Sequence, residues 1–169
     1  MTGVQTCALP ICSIIVEKHS GKVPPVCAIT TVKHITLIDI VSSRMLGAAG
    51  FLAHVFNNFL KWNISIDVIA TSEVSVSLTV NTKADLSGIV ADLEQASQVS
   101  VRENKAIVTI ICDAAHSSAI LASGFAVLAD EGINVQMISQ GASKVNISMI
   151  VDDDEADKTV QILHGAFFN

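Results

Sequence analysis

Flat side chains are scarce in this sequence, which has no tyrosine, one tryptophan and six phenylalanines among its 169 residues. Proteins that read single-stranded nucleic acid stack bases on such rings, so their scarcity counts against that role. Cations are scarce too: ten Lys and Arg stand against sixteen Asp and Glu, a formal charge of −6. That leaves no basic footprint for phosphate backbones or anionic headgroups, and neither nucleic acid nor a membrane is an expected partner. No apolar run approaches the roughly 20 residues of a spanning helix. Cys7, Cys12, Cys27 and Cys112 form no CxxC pair and have no His at ligand spacing, which leaves free thiols in a reducing interior and no metal site. The five histidines (His19, His34, His54, His116, His164) lie near no recognisable nucleophile. No glycine-rich loop is followed by the Lys that would cradle phosphate. No catalytic residue and no cofactor is expected.

What the chain does have is apolar content, half of all residues, enough for one good core or two small ones. Residues 1–12, "MTGVQTCALPIC", have neither the basic start of a signal peptide nor the Arg/Ser richness of a transit peptide. They read as a non-native leader, and residues 13–25, ending in Pro24-Pro25, as linker. From Ile35 onward the signals run strand, helix, strand, strand, helix, strand. "ITLIDIV" is β-branched, and "GFLAHVFNNFLKW" places Phe51, Leu52, Val55, Phe56, Phe59 and Leu60 on one helical face, with Asn63 as a left-handed stop. "ISIDVIA" and "VSVSLTV" alternate, the second with Val74, Val76, Leu78 and Val80 on one face. Leu86, Ile89, Val90 and Leu93 mark a second helix, and "QVSVRE" closes a βαββαβ unit.

The pattern occurs twice. Sliding the sequence by 69 positions lays Phe56 on Phe125, Ile64 on Ile133, Val68 on Met137 and Ile69 on Ile138. In the second copy "AIVTIIC" is a strand, 117–131 a helix stopped by Gly132, "INVQMIS" and "VNISMIV" a strand pair, and 154–167 a helix. That copy lacks its last strand, while "CAITTVK" (27–33) stands unassigned before the first. Giving the spare strand to the second copy inserts the first unit (35–103) into a discontinuous second unit (26–34 with 104–169). The fold class is α+β, two ferredoxin-like units with the first inside the second.

One end of the first unit carries candidate binding chemistry. "MLGAAGF" occupies a strand-to-helix turn, where backbone N–H groups of a helix start, approached closely at Gly47 and Gly50, can hold a carboxylate; a plain tight turn would look the same. Asp67 alternates out of the core, and the tetrad Ala70-Thr71-Ser72-Glu73 sets hydroxyls and a carboxylate at a hairpin bend. Turn chemistry and solubility explain such residues as well as a site does. Taken together, backbone donors, hydroxyls and two carboxylates complement a zwitterionic, basic amino acid. The run Asp152-Asp153-Asp154-Glu155 reads as N-terminal capping of the last helix rather than as a calcium site.

The stretches "ITLIDIVSSRMLGAAGFLAHVF", "NISIDVIATSEVSVSLTV" and "INVQMISQGASKVNISMIV" strongly resemble the C-terminal regulatory region of aspartate kinases, a tandem of ACT domains, over about residues 26–169. The resemblance implies two ACT units, one inserted in the other. It implies an end-product amino acid that inhibits formation of aspartyl phosphate, and a homodimer through the ACT units. The implied effector pocket uses Met45, Gly47, Gly50, Phe51 and Leu52 with Asp67, Thr71, Ser72 and Glu73. Ala48 and Ala49 depart from the polar or bulkier residues of relatives, and "SQGAS" in the second unit lacks the acid of "ATSE". Ending at "HGAFFN", as single-function aspartate kinases do, favours lysine over threonine as effector, with S-adenosylmethionine as a second effector to consider. The family's Lys-Phe-Gly-Gly kinase motif is absent, so this polypeptide is expected to be a regulatory fragment that does not itself phosphorylate aspartate. The implied location is cytoplasm or plastid. A free-standing ACT amino-acid sensor remains open as an alternative, as does a ferredoxin-like RNA-binding module with the same strand order.

Overall fold

Long alternations of β-branched and small polar residues build the sheet on which everything else rests. The computed structural model describes residues 5–7, 12–14, 25–42, 49–81, 83, 85–112, 116–141 and 146–168. The elements are β1 (Gln5–Cys7), β2 (Cys12–Ile14), β3 (Val26–Val41), α1 (Phe51–Lys61), β4 (Ile66–Thr71), β5 (Ser75–Asn81), α2 (Ser87–Glu94), β6 (Gln98–Cys112), α3 (Ser117–Asp130), β7 (Met137–Gln140), β8 (Asn146–Asp152), a 3-10 turn (Asp153–Glu155) and α4 (Ala156–Phe168). β1 and β2 pair only with each other, and β2 takes Ser13 and Ile14 out of the expected linker. The remaining six strands form one antiparallel sheet in the order β4-β5-β3-β6-β8-β7.

Two strands are far longer than the usual five or six residues. β3 has 16 residues and β6 has 15, so "CAITTVK" with "ITLIDIV", and "QVSVRE" with "AIVTIIC", are continuous strands and not four separate ones. Each serves two units. Residues 35–41 pair with β5 on one side and with the first half of β6 on the other, whereas the first half of β3 pairs with 107–112 of β6. The handover is marked by left-handed backbone at His34 (φ 58°) and Asn104 (φ 56°) and by register shifts between Val32 and Leu37, the signature of bulges that bend a strand. The result is two βαββαβ units, the first inserted into the second.

Helices cover one face of each unit. In the first, Val55 and Phe59 of α1 with Ile89 and Leu93 of α2 lie over Ile38, Ile40, Val76, Leu78 and Val80. In the second, Ile120 and Leu128 of α3 with Leu163 of α4 lie over Val108, Ile110, Ile147, Met149 and Val151. A third cluster forms on the opposite face: Ile35, Leu37, Ile107, Met137 and Ile150, joined by Val68 and Ala70. The sheet curls enough for its two edge strands to touch, Ser139 Oγ of β7 donating to the Ile69 carbonyl of β4 at 2.7 Å. Beside this seam a polar chain runs between the units, Asp39 to Arg102 to Gln136 to Asp152 to Lys105.

Three expectations change. The six apolar residues of α1 form two adjacent stripes, and the sheet covers only that of Val55 and Phe59; Leu52, Phe56 and Leu60, four residues apart, stay exposed, Leu60 at 77%. Val74 belongs to the bend, not to the strand face, and is exposed. The acidic run does not cap the last helix with its side chains. Asp152 joins Lys105 and Gln136, and Asp153 accepts the His34 amide at 2.7 Å and faces His34 Nδ1 at 3.2 Å. These acids seal the place where β3 and β6 pass between units. The expected helix stops hold, with Asn63 at φ 52° and Gly132 at φ 71°.

Candidate functional site

The bend between β4 and β5 is built by its serines. The Ser72 hydroxyl accepts the amides of Val74 (3.3 Å) and Ser75 (3.1 Å) and lies 2.6 Å from Ser75 Oγ, while the Ser72 amide donates to the Ser75 carbonyl at 2.8 Å. A hydroxyl that caps its own turn in this way fixes the loop. The bend is then tied to the end of β3: the Ser42 amide donates to the Val74 carbonyl at 2.9 Å and Ser42 Oγ to the Ala96 carbonyl at 3.1 Å. Ser42 and Ser75 are structural partners of the site that the sequence did not single out; inside "VSSR" and "VSVS" nothing separates them from ordinary loop and strand serines.

The other wall is the start of α1, a short connection beyond Ser42. Gly50 precedes the helix with φ 92°, a conformation that glycine adopts without strain. Among the described residues no side chain caps this N-terminus, and no acid stands in its first turn, so its first amide donors suit an anion. Phe51 is half-buried and Leu52 exposed. Met45 and Gly47 lie outside the described residues.

Thr71, Ser72 and Glu73 are exposed together at the bend. Asp67 is exposed on the same edge strand but four residues before Thr71, about 13 Å of strand away. A bulge between Ile66 and Ile69 lies there, and the Val68 amide donates to Thr79 Oγ1 at 3.0 Å instead of to backbone. Among the described residues neither Asp67 nor Glu73 has an ion-pair or hydrogen-bond partner. The structure thus brings Gly50, Phe51 and Leu52 to the same end of the first unit as Thr71, Ser72 and Glu73, and sets Asp67 apart along the edge.

An open depression of about 590 Å³ lies elsewhere, lined by Glu103, Asn104, Lys105 and residues 152–155. Three of its charged side chains already have partners: Lys105 with Asp152, and Asp153 with His34. The hydrogen bond from Lys105, with a smaller one from Gln136, holds the Asp152 carboxyl below the usual carboxylate range despite partial burial. Among the described residues no group of three or more His, Cys, Asp or Glu could hold a metal ion. All six phenylalanines lie in α1, α3 and α4, so the sheet has none of the stacking aromatics that an RNA-binding module of this strand order needs.

Comparison with known proteins accords with this architecture. Residues 108–167 match the ACT domain family. Aspartokinase 3, chloroplastic, of Arabidopsis thaliana is 50% identical over 145 residues, which cover 80% of this chain and 26% of the relative. A solved structure described as a C-terminal regulatory domain of aspartate kinase from Porphyromonas gingivalis is 31% identical with a TM-score of 0.72, covering 84% of this chain and 97% of that one. The chain belongs to the ACT-domain regulatory regions of the aspartokinases. It spans about a quarter of the length of the Arabidopsis relative. Escherichia coli aspartokinase III, solved in complex with lysine and aspartate, superposes with a TM-score of 0.76 at 30% identity over 92% of this chain and 36% of that one. Among the described residues no helix is long and apolar enough to cross a membrane.

Proposed function

We propose that this regulatory region binds free lysine at the first unit, at the α1 start and the β4–β5 hairpin, and that occupancy there inhibits aspartyl phosphate formation by an aspartate kinase catalytic domain. The observation that carries this reading is the common end of the first unit: an α1 start with no side-chain cap among the described residues suits a carboxylate, and the Thr71 and Ser72 hydroxyls and the Glu73 carboxylate lie at that same end, with Asp67 further along the same edge strand. Lysine has one carboxylate and two separated ammonium groups, whereas threonine has one ammonium and would leave one acid unanswered. The lysine held by the E. coli relative adds to the case. Met45, Gly47, Gly50, Phe51, Leu52, Asp67, Thr71, Ser72 and Glu73 are the proposed pocket. The second unit, with "SQGAS" at the equivalent bend, serves structure or interface.

Two further parts of the proposal concern context. The exposed stripe Leu52, Phe56 and Leu60 and the edge position of β4 support a homodimer through the first unit; sedimentation that finds only monomer at tens of micromolar with lysine present counts against it. The chloroplastic location of the Arabidopsis relative supports a plastid setting.

Calorimetric titration with lysine, threonine and S-adenosylmethionine tests the effector. Asp67→Ala and Glu73→Ala should each remove a charge-assisted hydrogen bond and weaken lysine by about 10- to 150-fold. Both residues are exposed, so melting temperatures should move by no more than about 2 °C. Equal lysine affinity in wild type and both variants removes the site assignment.

A further inference from the structure

The weak point of the proposed site is the strand that presents it. β4 has only six residues and sits at the sheet edge, with backbone pairing on one side alone. The bulge interrupts even that pairing between Ile66 and Ile69, where a side chain of β5, Thr79, takes the Val68 amide. A strand held so loosely by its neighbour takes its position from whatever packs on its other surfaces. Here those surfaces meet the second unit. Met137, 7% exposed, shares the apolar seam with Val68 and Ala70, and Ser139 Oγ donates at 2.7 Å to the Ile69 carbonyl. Ile69 immediately precedes the tetrad Ala70-Thr71-Ser72-Glu73.

We propose that Ser139 is a positioning residue, through which the second unit holds the first unit's β4–β5 hairpin in its effector-binding geometry; the proposal rests on the site reading given above. Ser139 and Thr79 grip consecutive residues of β4 from opposite sides, Ser139 at the Ile69 carbonyl and Thr79 at the Val68 amide. With Ser72 locking the bend internally, that leaves the tetrad little freedom relative to β7. The unit that lacks the acidic bend thereby sets the affinity of the unit that has it, and any displacement of β7 is felt at the effector.

The test uses the full chain with Ser139→Ala, Ser139→Thr and Glu73→Ala. Amide exchange at residues 70–75 is measured without ligand, and lysine is titrated by calorimetry. Losing one neutral hydrogen bond, Ser139→Ala should speed exchange at the Ser72 amide about three- to tenfold and weaken lysine by a similar factor. Ser139→Thr, which keeps the hydroxyl, should bring both back to within about twofold of wild type. A general loss of stability would not be restored by threonine. Unchanged exchange in Ser139→Ala overturns the proposal whatever lysine does, as does failure of threonine to restore it. If exchange rises, lysine affinity stays, and Glu73→Ala still weakens lysine, the positioning role is overturned while the site stands. If Glu73→Ala leaves lysine unchanged, the site reading falls and the effector role of Ser139 falls with it.

Discussion

The two units share one βαββαβ pattern and differ in how completely they are closed. The second packs α3 and α4 against each other over its sheet, Leu163 and Phe167 of α4 approaching Gly124 of α3. The first has shorter helices, leaves an apolar stripe of α1 in solvent and sets the α1 start at the same end as the exposed Thr71, Ser72 and Glu73. Binding surfaces come from the less closed part of a molecule, because a group already satisfied by its own fold has nothing to offer a ligand. On the proposed reading the duplicated pattern divides its labour, one copy building a closed support and the other keeping open the groups that would meet the effector. The shared strands β3 and β6 keep the copies from parting.

The shared strands also give the largest expected effect. Leu78 in the first core is fully buried and Met149 in the second is 1% exposed, so Leu78→Ala and Met149→Ala should each cost about 2–5 kcal/mol. Because 26–41 and 98–112 belong to both units, thermal unfolding followed by circular dichroism should remain a single transition in both variants, at lower temperature. A first-unit variant that melts in two steps would show the copies to be separable and the comparison to be one of two domains.

A smaller effect distinguishes the two helix layers. A Cβ on Gly88 of α2 would lie 2.1 Å from the Trp62 ring, the one tryptophan of the chain. Trp62 is itself held by its indole N–H on Asp92 at 2.8 Å and by Lys61, 5.4 Å from the ring centroid. Gly88→Ala must push the ring away, costing about 1–3 kcal/mol against a helix-propensity gain of about 1. At Gly124 the nearest atom to a new Cβ is Leu163 Cδ2 at 3.4 Å, an ordinary contact. Gly124→Ala should therefore raise stability by about 0.5–1 kcal/mol. Opposite shifts in melting temperature, with a change in tryptophan fluorescence for Gly88→Ala alone, sharpen the contrast between the units; equal shifts erase it.

The repeat and the insertion were legible because both depend on local signals: alternation, helical periodicity, stops at Asn63 and Gly132, and a spare strand. Continuity was not. His34 and Asn104 look like loop residues, and only the paired bulges that they permit reveal that the chain passes through them as strand. The exposed stripe of α1 is not legible, because six apolar residues at helical spacing define a wide band and nothing in the sequence says how much of it a four-stranded layer covers. At the candidate site, the bend and the Gly50 turn could be read from residue types. Ser42 and Ser139 could not, since their roles arise from partners 32 and 70 residues away.

The smallest expected effect lies at the polar chain between the units. Lys105, and less strongly Gln136, favour the ionised form of Asp152, whose carboxyl is held below its ordinary value. A carboxyl depressed in the folded state contributes stability that is fully present above its unfolded value, about 3.9, and that is lost as pH falls through the folded value. Asp92 behaves the same way in the first unit, its carboxyl lowered by hydrogen bonds from Lys61 and then Trp62, so both units contribute to acid sensitivity. Asp152 is 41% exposed, and solvent screening limits its share to under about 1 kcal/mol. Asp152→Asn should lower stability slightly at pH 7. Between pH 5 and 3 it should flatten the fall in stability relative to wild type, as followed by urea unfolding at each pH. If the two curves stay parallel through that window, the ion pair between Lys105 and Asp152, at the second unit's end of the polar chain, contributes nothing to stability.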